Sequence, residues 1–418
     1  EISLGLVGSE MCIRDRSDSF VISKICVRIY KKVIVTIRKY PTRITIYDRI
    51  GKGKTNPAGV GRTGKENRGK AKEMENCMLC PRECGVNRKK GEMGVCGQTA
   101  AIKAARAALH MWEEPCISGR NGSGTVFFSG CNLGCIFCQN HNIATGKAGI
   151  EISIERLAEI FLELQEKGAN NINLVTAGHF VPQVVEALKL AKQQGLYLPV
   201  VYNTSSYEKV ETLRLLEGYV DIYLPDLKYV DSAISSRYSH AADYFTCASA
   251  AIAEMVRQVG EPEFVFERAA GKEGSSAEFL ADEKKKISEQ QNNMIFDAVE
   301  YQERSEAGES LLMRKGVIVR HLVMPDCVED SKRVISYLLK TYGGQIFISI
   351  MNQYTPLPQC GEYPELSRRV TEAEYDAVVD YAIELGIENG FIQEGDVAEE
   401  SFIPEFDGEG IVREDMGR

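Results

Sequence analysis

The sequence predicts an α/β fold: a partial (β/α)6 TIM-type barrel with a small cysteine-rich metal module before it. Short apolar runs and amphipathic helical patterns alternate between residues 121 and 390, as in a parallel sheet covered by helices. A three-cysteine loop follows the first run directly, and four more cysteines are grouped before it. We therefore divide the chain into an N-terminal extension, a cysteine-rich head, a barrel core and an acidic tail: 1–73, 74–120, 121–390 and 391–418.

The six predicted strands of the barrel cover residues 126–128, 172–175, 199–202, 221–224, 317–323 and 346–350. The helical patterns cover residues 154–164, 181–194, 208–216, 331–342 and 371–385. Gly168 suits the C-terminal cap of the first of these helices. In a barrel of this kind the chemistry lies at the C-terminal ends of the strands, which is where the three-cysteine loop begins.

Charge and composition exclude several classes of function. The 418 residues carry a net charge of −9, but residues 1–73 hold 17 Lys and Arg against 7 Asp and Glu, so the remainder is strongly acidic. An acidic body is not a platform for nucleic acid. The apolar runs are far shorter than the roughly 18 residues of a membrane-spanning helix, so we expect no membrane segment. Thirteen clustered cysteines, an odd number, disfavour a disulfide framework and predict a reducing cytoplasm.

Two segments do not follow the pattern of the barrel. Residues 1–73 are basic, and their opening resembles translated sequencing-adapter read-through. We interpret them as a non-native or disordered extension, with Met74 as the natural start and a basic nucleic-acid arm as the alternative. Residues 263–315 are highly charged and predict a surface insertion, either a helical hairpin or a partly disordered loop. A partner-docking role for this insertion stays open.

The chemical centre of the sequence is the loop that holds Cys131, Cys135 and Cys138. Three thiolates on one loop can hold three corners of a cubane iron–sulfur cluster, whereas an electron carrier normally uses four cysteines. The remaining iron is then open to a substrate or cosubstrate, as one position is in a catalytic zinc site. The alternatives are a buried cysteine cluster or three of four zinc ligands.

A second set of cysteines lies in the head. Cys77, Cys80, Cys84 and Cys96 have the spacing that puts two sulfurs on one turn and completes a site from a nearby loop. They predict a second metal, either zinc or a closed iron–sulfur cluster, and the sequence does not choose between the two. Free structural cysteines are the alternative. Cys116 stands alone and is predicted to be a packed thiol.

The spacing Cys-x3-Cys-x-Phe-Cys, in which Phe137 precedes the third cysteine, resembles the signature of the radical S-adenosylmethionine (SAM) superfamily. Residues 77–407 are similar to the proteins related to pyruvate formate-lyase activating enzymes, in a branch that carries the additional four-cysteine head. The stretches that carry this resemblance end the predicted strands: 173–183, 202–208, 221–229, 319–325 and 349–358.

The resemblance implies a [4Fe-4S] cluster on the three loop cysteines, with SAM bound to the open iron. One electron, from a donor such as flavodoxin or ferredoxin, then cleaves SAM to methionine and a 5′-deoxyadenosyl radical that abstracts hydrogen. The side chains that the resemblance places around SAM are Phe137, near the adenine, together with Thr176, Asn203, Ser205, Asp226, Lys228 and Arg320.

The polar side chains of this set have expected contacts. Asn203 and Ser205 would bond the ribose or methionine groups of SAM. Asp226 and Lys228 match an Asp-Leu-Lys motif whose opposite charges suit a zwitterionic amino acid, with an ordinary ion pair as the alternative. Arg320 would meet the SAM carboxylate.

Thr176 stands where the superfamily often has Gly-Gly-Glu for the SAM amino group. The sequence has no Glu there, so His179 is a candidate substitute, and a simply hydrogen-bonded histidine is the alternative. Tyr354 and the acidic residues 394–407 are candidates for the substrate entrance.

Three classes of function remain open: activation of a glycyl-radical protein or modification of another macromolecule, radical chemistry on a small molecule, and a non-enzymatic iron–sulfur or zinc protein. The open iron argues against the third class. After residue 350 the sequence supplies one helix and an acidic tail, which is little enclosure for a small substrate. We therefore favour a protein or peptide substrate.

Overall fold

The computed structural model describes residues 74–268, 309–393 and 404–413. The basic extension, most of the charged insertion and the greater part of the acidic tail lie outside these residues. Within them, no helix is long and apolar enough to cross a membrane.

The core of the molecule is one ten-stranded sheet with the order β10-β9-β8-β6-β5-β4-β2-β1-β3, and β7 pairs with β8 beside this path. Seven neighbouring strands run parallel to one another: β2, β4, β5, β6, β8, β9 and β10. The strands are β1 (Ile102–His110), β2 (Ser123–Phe128), β3 (Ile150–Ile152), β4 (Ile172–Val175), β5 (Val200–Thr204), β6 (Ile222–Pro225), β7 (Glu263–Arg268), β8 (Glu309–Leu322), β9 (Phe347–Met351) and β10 (Gly390–Ile392).

The predicted partial barrel is confirmed. All six predicted strands are present as β2, β4, β5, β6, β8 and β9, and they are neighbours in chain order. In the described part of the chain the two edges of the sheet, β3 and β10, do not pair with each other, so the barrel is open. The fold is therefore mixed α/β, with one sheet whose strands are mostly parallel.

Helices cover the outer face of the sheet. The first long helix begins at Ser153, whose side chain accepts the Arg156 N–H as an N-cap, and it buries an apolar stripe at helical spacing. Gly168 follows it with φ +84°, as the sequence predicts. The helices are α1 (Pro115–Ser118), α2 (His141–Ala144), α3 (Ile154–Glu166), α4 (Val181–Gln193), α5 (Val210–Leu213), α6 (Ser232–Ser239), α7 (Tyr244–Val259), α8 (Val328–Tyr342) and α9 (Glu372–Glu384).

The inner face of the sheet has its own apolar core. Val201, Ile222 and Ile318 point inward there and pack against Cys116 and Ile117 of α1. The chain reaches this position because β1 runs antiparallel to β2 and ends beside its first residues. Helix α1 therefore fills the barrel interior at the N-terminal end of the parallel strands, and Cys116 is a packed thiol.

The sequence-based boundaries are wrong in several places. The sequence places residues 102–120 in the head, whereas β1 belongs to the sheet and α1 packs against its inner face. The helix expected over 208–216 is α5 followed by a short 3-10 segment, Arg214–Leu216. Helices α6 and α7 were not predicted at all. Each of these elements is defined by pairing or packing with distant parts of the chain.

The two ends of the charged insertion predicted over residues 263–315 form a regular β-ribbon, where the sequence predicts a helical hairpin or a partly disordered loop. In this ribbon β7 and the first half of β8 pair antiparallel, and Arg268 lies directly opposite Glu309. The rest of β8 joins the sheet from Gly316 onward, beside the first residue of β6. The ribbon therefore leaves the barrel at the N-terminal ends of the strands, the end opposite the cysteine loop.

Residues 404–413, here called the strap, add to the edge of the sheet at β1. Gly408 N–H donates to Ala105 O (3.0 Å), and Ala107 N–H donates to Glu409 O (2.8 Å). Residues 408–409 thus pair with the part of β1 that β3 leaves uncovered, while residues 394–403, expected near the substrate entrance, lie outside the described residues.

Candidate active site

The three-cysteine loop begins immediately after β2, at the C-terminal end of the parallel strands. Gly130 opens it with φ +87°. A Cβ at this position would lie 2.5 Å from Cys96 O and 2.6 Å from Gln98 Cγ. Glycine is therefore required for two reasons: the left-handed backbone, and the close approach of the head to the loop.

The three loop sulfurs share one feature that suits metal-bound thiolates, since each accepts a hydrogen bond. Burial raises the pKa of Cys135 to about 11 and that of Cys138 to about 12. The thiols need a strong cationic partner to ionise, and soft sulfur ligands with donors on every sulfur fit an iron–sulfur cluster. The donors are Leu133 N–H to Cys131 (3.4 Å), the Ser239 hydroxyl to Cys135 (3.0 Å) and the Asn140 backbone to Cys138.

A chain of buried charges lies beside the loop at the ends of β5, β6 and β8. Lys228 Nζ donates to Asp226 Oδ2 (2.7 Å), and Arg320 Nε donates to Asp226 Oδ1 (3.2 Å). Arg320 Nη2 donates to Asn203 Oδ1 (2.6 Å). Burial alone would raise the pKa of Asp226, but Lys228 and Arg320 outweigh it and hold this pKa below its ordinary value. The carboxylate is therefore charged at neutral pH.

The charge chain is coupled to the cysteine loop. The Lys228 ammonium lowers the pKa of Cys135 and Cys138, although burial has the larger, opposite effect on both thiols. Cys135 and Cys138 thus lie close to Asp226, Lys228 and the Arg320 guanidinium. Because this cluster contains both an anion and cations, it could bind the ammonium and the carboxylate of an amino acid.

The head lies against this region and holds its own four cysteines. A Cβ on Gly94 would lie 3.2 Å from Cys84 Sγ and 3.4 Å from Cys96 Sγ, so these two thiols converge. Cys77 and Cys84 each raise the pKa of Cys96, whose largest shift comes from burial. However, within 74–268, 309–393 and 404–413 no three His, Cys, Asp or Glu side chains are arranged around a single-ion position. A second metal in the head stays a prediction.

The family model of the radical SAM superfamily matches residues 125–257, from β2 through the cysteine loop to α7. The chain contains a radical SAM domain. This confirms the resemblance read from the cysteine spacing. Within the radical SAM core, the matched stretch holds the loop cysteines, Asn203, Asp226 and Lys228, whereas Arg320 and the head lie outside it.

Individual relatives show how far the similarity extends. An uncharacterized protein of Methanocaldococcus jannaschii is 26% identical over 319 residues, which cover 74% of this chain and 75% of the relative. The pyruvate formate-lyase-activating enzyme of Clostridium pasteurianum is 28% identical over 112 residues, or 25% of this chain and 45% of that enzyme. The crystal structure of Streptococcus suis SuiB bound to precursor peptide SuiA has a TM-score of 0.34 at 11% identity, covering 64% of this chain and 47% of that one.

Glu113, just before α1, is a residue of the candidate site that the sequence does not reveal. Its Oε1 accepts from Asn173 Nδ2 (2.9 Å) and Asn203 Nδ2 (3.3 Å), and its Oε2 accepts from Arg320 Nη1 (3.2 Å). It reaches three strands from the barrel interior. Its neighbour Glu114 is also buried, and burial raises the pKa of that carboxyl. Glu113 therefore anchors two of the predicted SAM-binding side chains, Asn203 and Arg320, from below.

Thr176 lies at the end of β4 with φ +60°, a conformation that costs energy for a β-branched residue. Two residues later, Gly178 leaves room for Glu208, because a Cβ there would lie 2.5 Å from Glu208 Oε1. A carboxylate is thus present beside the end of β4 after all, supplied by the turn after β5. The prediction that Thr176 contacts SAM stays a prediction.

Glu208 is buried, and hydrogen-bond donors reach one of its two carboxyl oxygens. Its Oε1 accepts from Thr204 Oγ1 (2.7 Å) and Tyr202 Oη (3.1 Å), while Oε2 has no hydrogen-bond partner in the described structure. Burial raises the pKa of Glu208 to about 7, and the two hydroxyl donors only partly oppose it. Because the folded pKa exceeds the ordinary value of 4.5, folding is favoured at low pH, and this contribution is lost as pH rises to about 7.

We expect Glu208→Gln to remove this pH dependence, since the amide cannot ionise. The variant should gain about 2 to 3 kcal/mol in unfolding free energy relative to the native chain at pH 8, and much less at pH 4.5. Chemical denaturation at both pH values measures this. Glu211→Gln, at an exposed glutamate on α5, is the matched control and should change neither value. An equal effect of Glu208→Gln at both pH values would contradict the assignment.

His179 lies between the head and the core. Its Nε2 is 2.8 Å from Ser129 O, and its own carbonyl accepts from Arg88 Nη1 (2.6 Å). Burial, with a further contribution from Arg88, lowers the pKa of His179 to about 3, so the ring is neutral. This position fits the alternative of a hydrogen-bonded core histidine.

Phe137 is buried, with 5% exposure, and its ring centroid lies 6.4 Å from that of Tyr229 and 6.3 Å from that of Tyr354. These aromatic rings form an apolar wall beside the cysteine loop, and the expected contact of Phe137 with adenine stays a prediction. Ser205 lies at the end of β5, where its carbonyl accepts from Tyr244 Oη (2.9 Å). Tyr244 Oη also lies 3.0 Å from Asp226 O, so the two carbonyls share its single hydroxyl proton and the two strand ends are tied together.

Proposed function

We propose that this protein holds a [4Fe-4S] cluster on Cys131, Cys135 and Cys138 and cleaves SAM reductively, with a protein or peptide as the hydrogen donor. The observation that carries the proposal is the position of three hydrogen-bonded thiols next to the buried charges of Asp226 and Lys228. A one-electron donor such as flavodoxin or ferredoxin is the implied partner.

The cluster, when bound, would supply the electron that cleaves SAM to methionine and a hydrogen-abstracting 5′-deoxyadenosyl radical. The chain itself contributes binding and shielding. Asp226 attracts the SAM ammonium, and Arg320 attracts the carboxylate, with Asn203 and Glu113 holding the guanidinium in place. The apolar wall around Phe137 keeps water from one side of the site.

The substrate class rests on two further observations. In the described residues β3 and β10 do not pair, so the sheet by itself does not enclose a small substrate. The partial similarity to a pyruvate formate-lyase-activating enzyme supports an activase-like reaction, in which the radical acts on another protein. Both favour a macromolecular substrate over a free metabolite.

The test measures whether hydrogen is transferred from the substrate to 5′-deoxyadenosine, a product of SAM cleavage. The reconstituted protein is incubated without oxygen with SAM, a one-electron reductant and deuterated candidates, and 5′-deoxyadenosine is analysed by mass spectrometry. We expect SAM-dependent 5′-deoxyadenosine in every case and deuterium transfer from a polypeptide. Deuterium from a free metabolite, with none from any polypeptide, would refute the macromolecular substrate. An absence of 5′-deoxyadenosine would refute the SAM chemistry itself.

The β7–β8 ribbon leads to a separate prediction. Because it leaves the barrel at the end opposite the cysteine loop, residues 269–308 should not be needed for SAM cleavage. Arg268 and Glu309 are direct partners, so an Asn-Gly turn can join them. The shortened protein should form 5′-deoxyadenosine at the native rate. A folded variant that no longer cleaves SAM would contradict this arrangement of the chain.

The head is proposed to bind a second metal, zinc or an iron–sulfur cluster, through Cys77, Cys80, Cys84 and Cys96. Changing Cys80 and Cys84 together to Ser should remove one metal complement while the iron on the loop is retained, because the two cysteine sets are separate in sequence. Elemental analysis for zinc and iron measures this. An unchanged metal content would mean that the head cysteines are free thiols.

A further inference from the structure

Arg82 of the head makes a concentrated contact with the core. Its guanidinium stacks over the Tyr207 ring at 5.0 Å and uses its planar set of N–H donors on backbone carbonyls from two segments. One segment is the cysteine loop and the other is the C-terminal end of α6. The acceptors are Asn132 O (2.9 Å), Leu133 O (3.2 Å), Ser239 O (3.2 Å) and His240 O (2.6 Å).

The two segments that Arg82 joins meet again at a loop sulfur. Ser239, the last residue of α6, donates its hydroxyl proton to Cys135 Sγ at 3.0 Å. Tyr229 Oη lies 2.8 Å from the same hydroxyl oxygen. A serine hydroxyl has one proton, so when Ser239 donates to sulfur, Tyr229 is the donor to Ser239. Ser239 and Tyr229 are both buried, which leaves this pair of hydrogen bonds without competition from bulk water.

The geometry of the hydrogen bond between Ser239 and Cys135 depends on where α6 ends. Ile136 N–H donates to Tyr238 O at 3.0 Å, which ties the loop to the last turn of α6. His240 then takes a left-handed φ of +51°, which turns the chain and exposes the Ser239 and His240 carbonyls to Arg82. Without the guanidinium, these two carbonyls and the two loop carbonyls would lose their shared donor. The Ser239 hydroxyl would then be free to move relative to Cys135.

We propose that the head sets the reduction potential of the loop cluster, with Arg82 as the positioning residue that holds the Ser239 hydroxyl on Cys135 Sγ. This rests on the proposed function, since it requires a cluster on the loop. A hydrogen bond to a ligating sulfur stabilises the more negative, reduced state of an iron–sulfur cluster and so raises its potential. The head thus makes the loop cluster easier to reduce.

The test is a redox titration of the reconstituted protein, followed by electron paramagnetic resonance of the reduced loop cluster. We expect Ser239→Ala to shift the midpoint to a more negative potential and Arg82→Met to shift it in the same direction. Tyr229→Phe removes the outer donor and should give a smaller shift of the same sign. Lys209→Met is the matched control, because Lys209 makes a different head–core contact, the ion pair with Glu83 (2.6 Å). It should leave the midpoint unchanged.

The outcomes separate the two proposals. A native protein that takes up no loop cluster would overturn the proposed function, and this inference with it. A native cluster whose midpoint is the same in Ser239→Ala and Arg82→Met would overturn this inference alone. If Arg82→Met does not fold, Arg82→Lys keeps the charge but loses the planar set of donors, and a negative shift is again the expected result. A native midpoint in folded Arg82→Lys would count against the positioning role.

Discussion

Cys135→Ala is expected to abolish the formation of 5′-deoxyadenosine from SAM. The substitution leaves two thiols for a cluster that needs three anchors, and it removes the sulfur that accepts from Ser239. Iron content and the electron paramagnetic resonance signal of the reduced cluster should fall together with the activity. The three readouts are measured on the same anaerobically reconstituted sample.

Cys247→Ala is the control for this experiment. Cys247 is a partly exposed thiol on α7 whose sulfur contacts Asp243, away from the loop cysteines. It should retain iron, the resonance signal and activity. If Cys135→Ala made 5′-deoxyadenosine at the native rate, the loop could not be the SAM-cleaving centre.

Asp226→Asn is expected to lower the unfolding free energy by about 3 kcal/mol at pH 7, because it leaves buried cationic partners without their shared anion. Asp226 is the ion partner of both Lys228 and Arg320, and all three side chains are largely buried. Chemical denaturation measures the difference. Under the proposed function, the variant should also bind SAM more weakly.

The pH dependence of this effect has a definite sign. The folded pKa of Asp226 lies below its ordinary value of 3.8, so its stabilisation is present above that pH and is lost as pH falls through the folded value. The gap between Asp226→Asn and the native protein should therefore narrow in acid. Asp231→Asn removes one charge from a half-exposed ion pair with Arg333 and should cost less than about 1 kcal/mol. Equal losses in the two variants would show that Asp226 is not a buried partner.

The sequence predicted the parallel strands because each is a short buried run between helical patterns, a local signal. The sequence does not predict β1, since four of the nine residues of Ile102–His110 are Ala, and the segment is a strand through its pairing with β2 and β3. The β7 segment does carry a usable pattern: Phe264, Val265 and Phe266 form a short run of aromatic and β-branched residues between charged ones, which favours a strand. The charge of the neighbouring insertion obscured it.

Glu113 shows the same limit at the site. Its hydrogen-bond partners are 60, 90 and 207 residues away in sequence, so no local spacing connects them. The available signal was chemical: two adjacent carboxylates precede Pro115 and an apolar pair that is buried in the core. By contrast, the loop cysteines lie within one short segment, so their spacing alone is enough to propose a metal centre.

The strap affects how the chain folds during its synthesis. Arg106 of β1 donates to the carbonyl of Glu405, 299 residues later, and forms an ion pair with Glu409. At about 5 to 20 residues per second, β1 therefore leaves the ribosome roughly 15 to 60 seconds before the strap that covers its edge. During that interval the edge is a template for pairing with other chains. We expect nascent chains to depend on chaperones most during this interval.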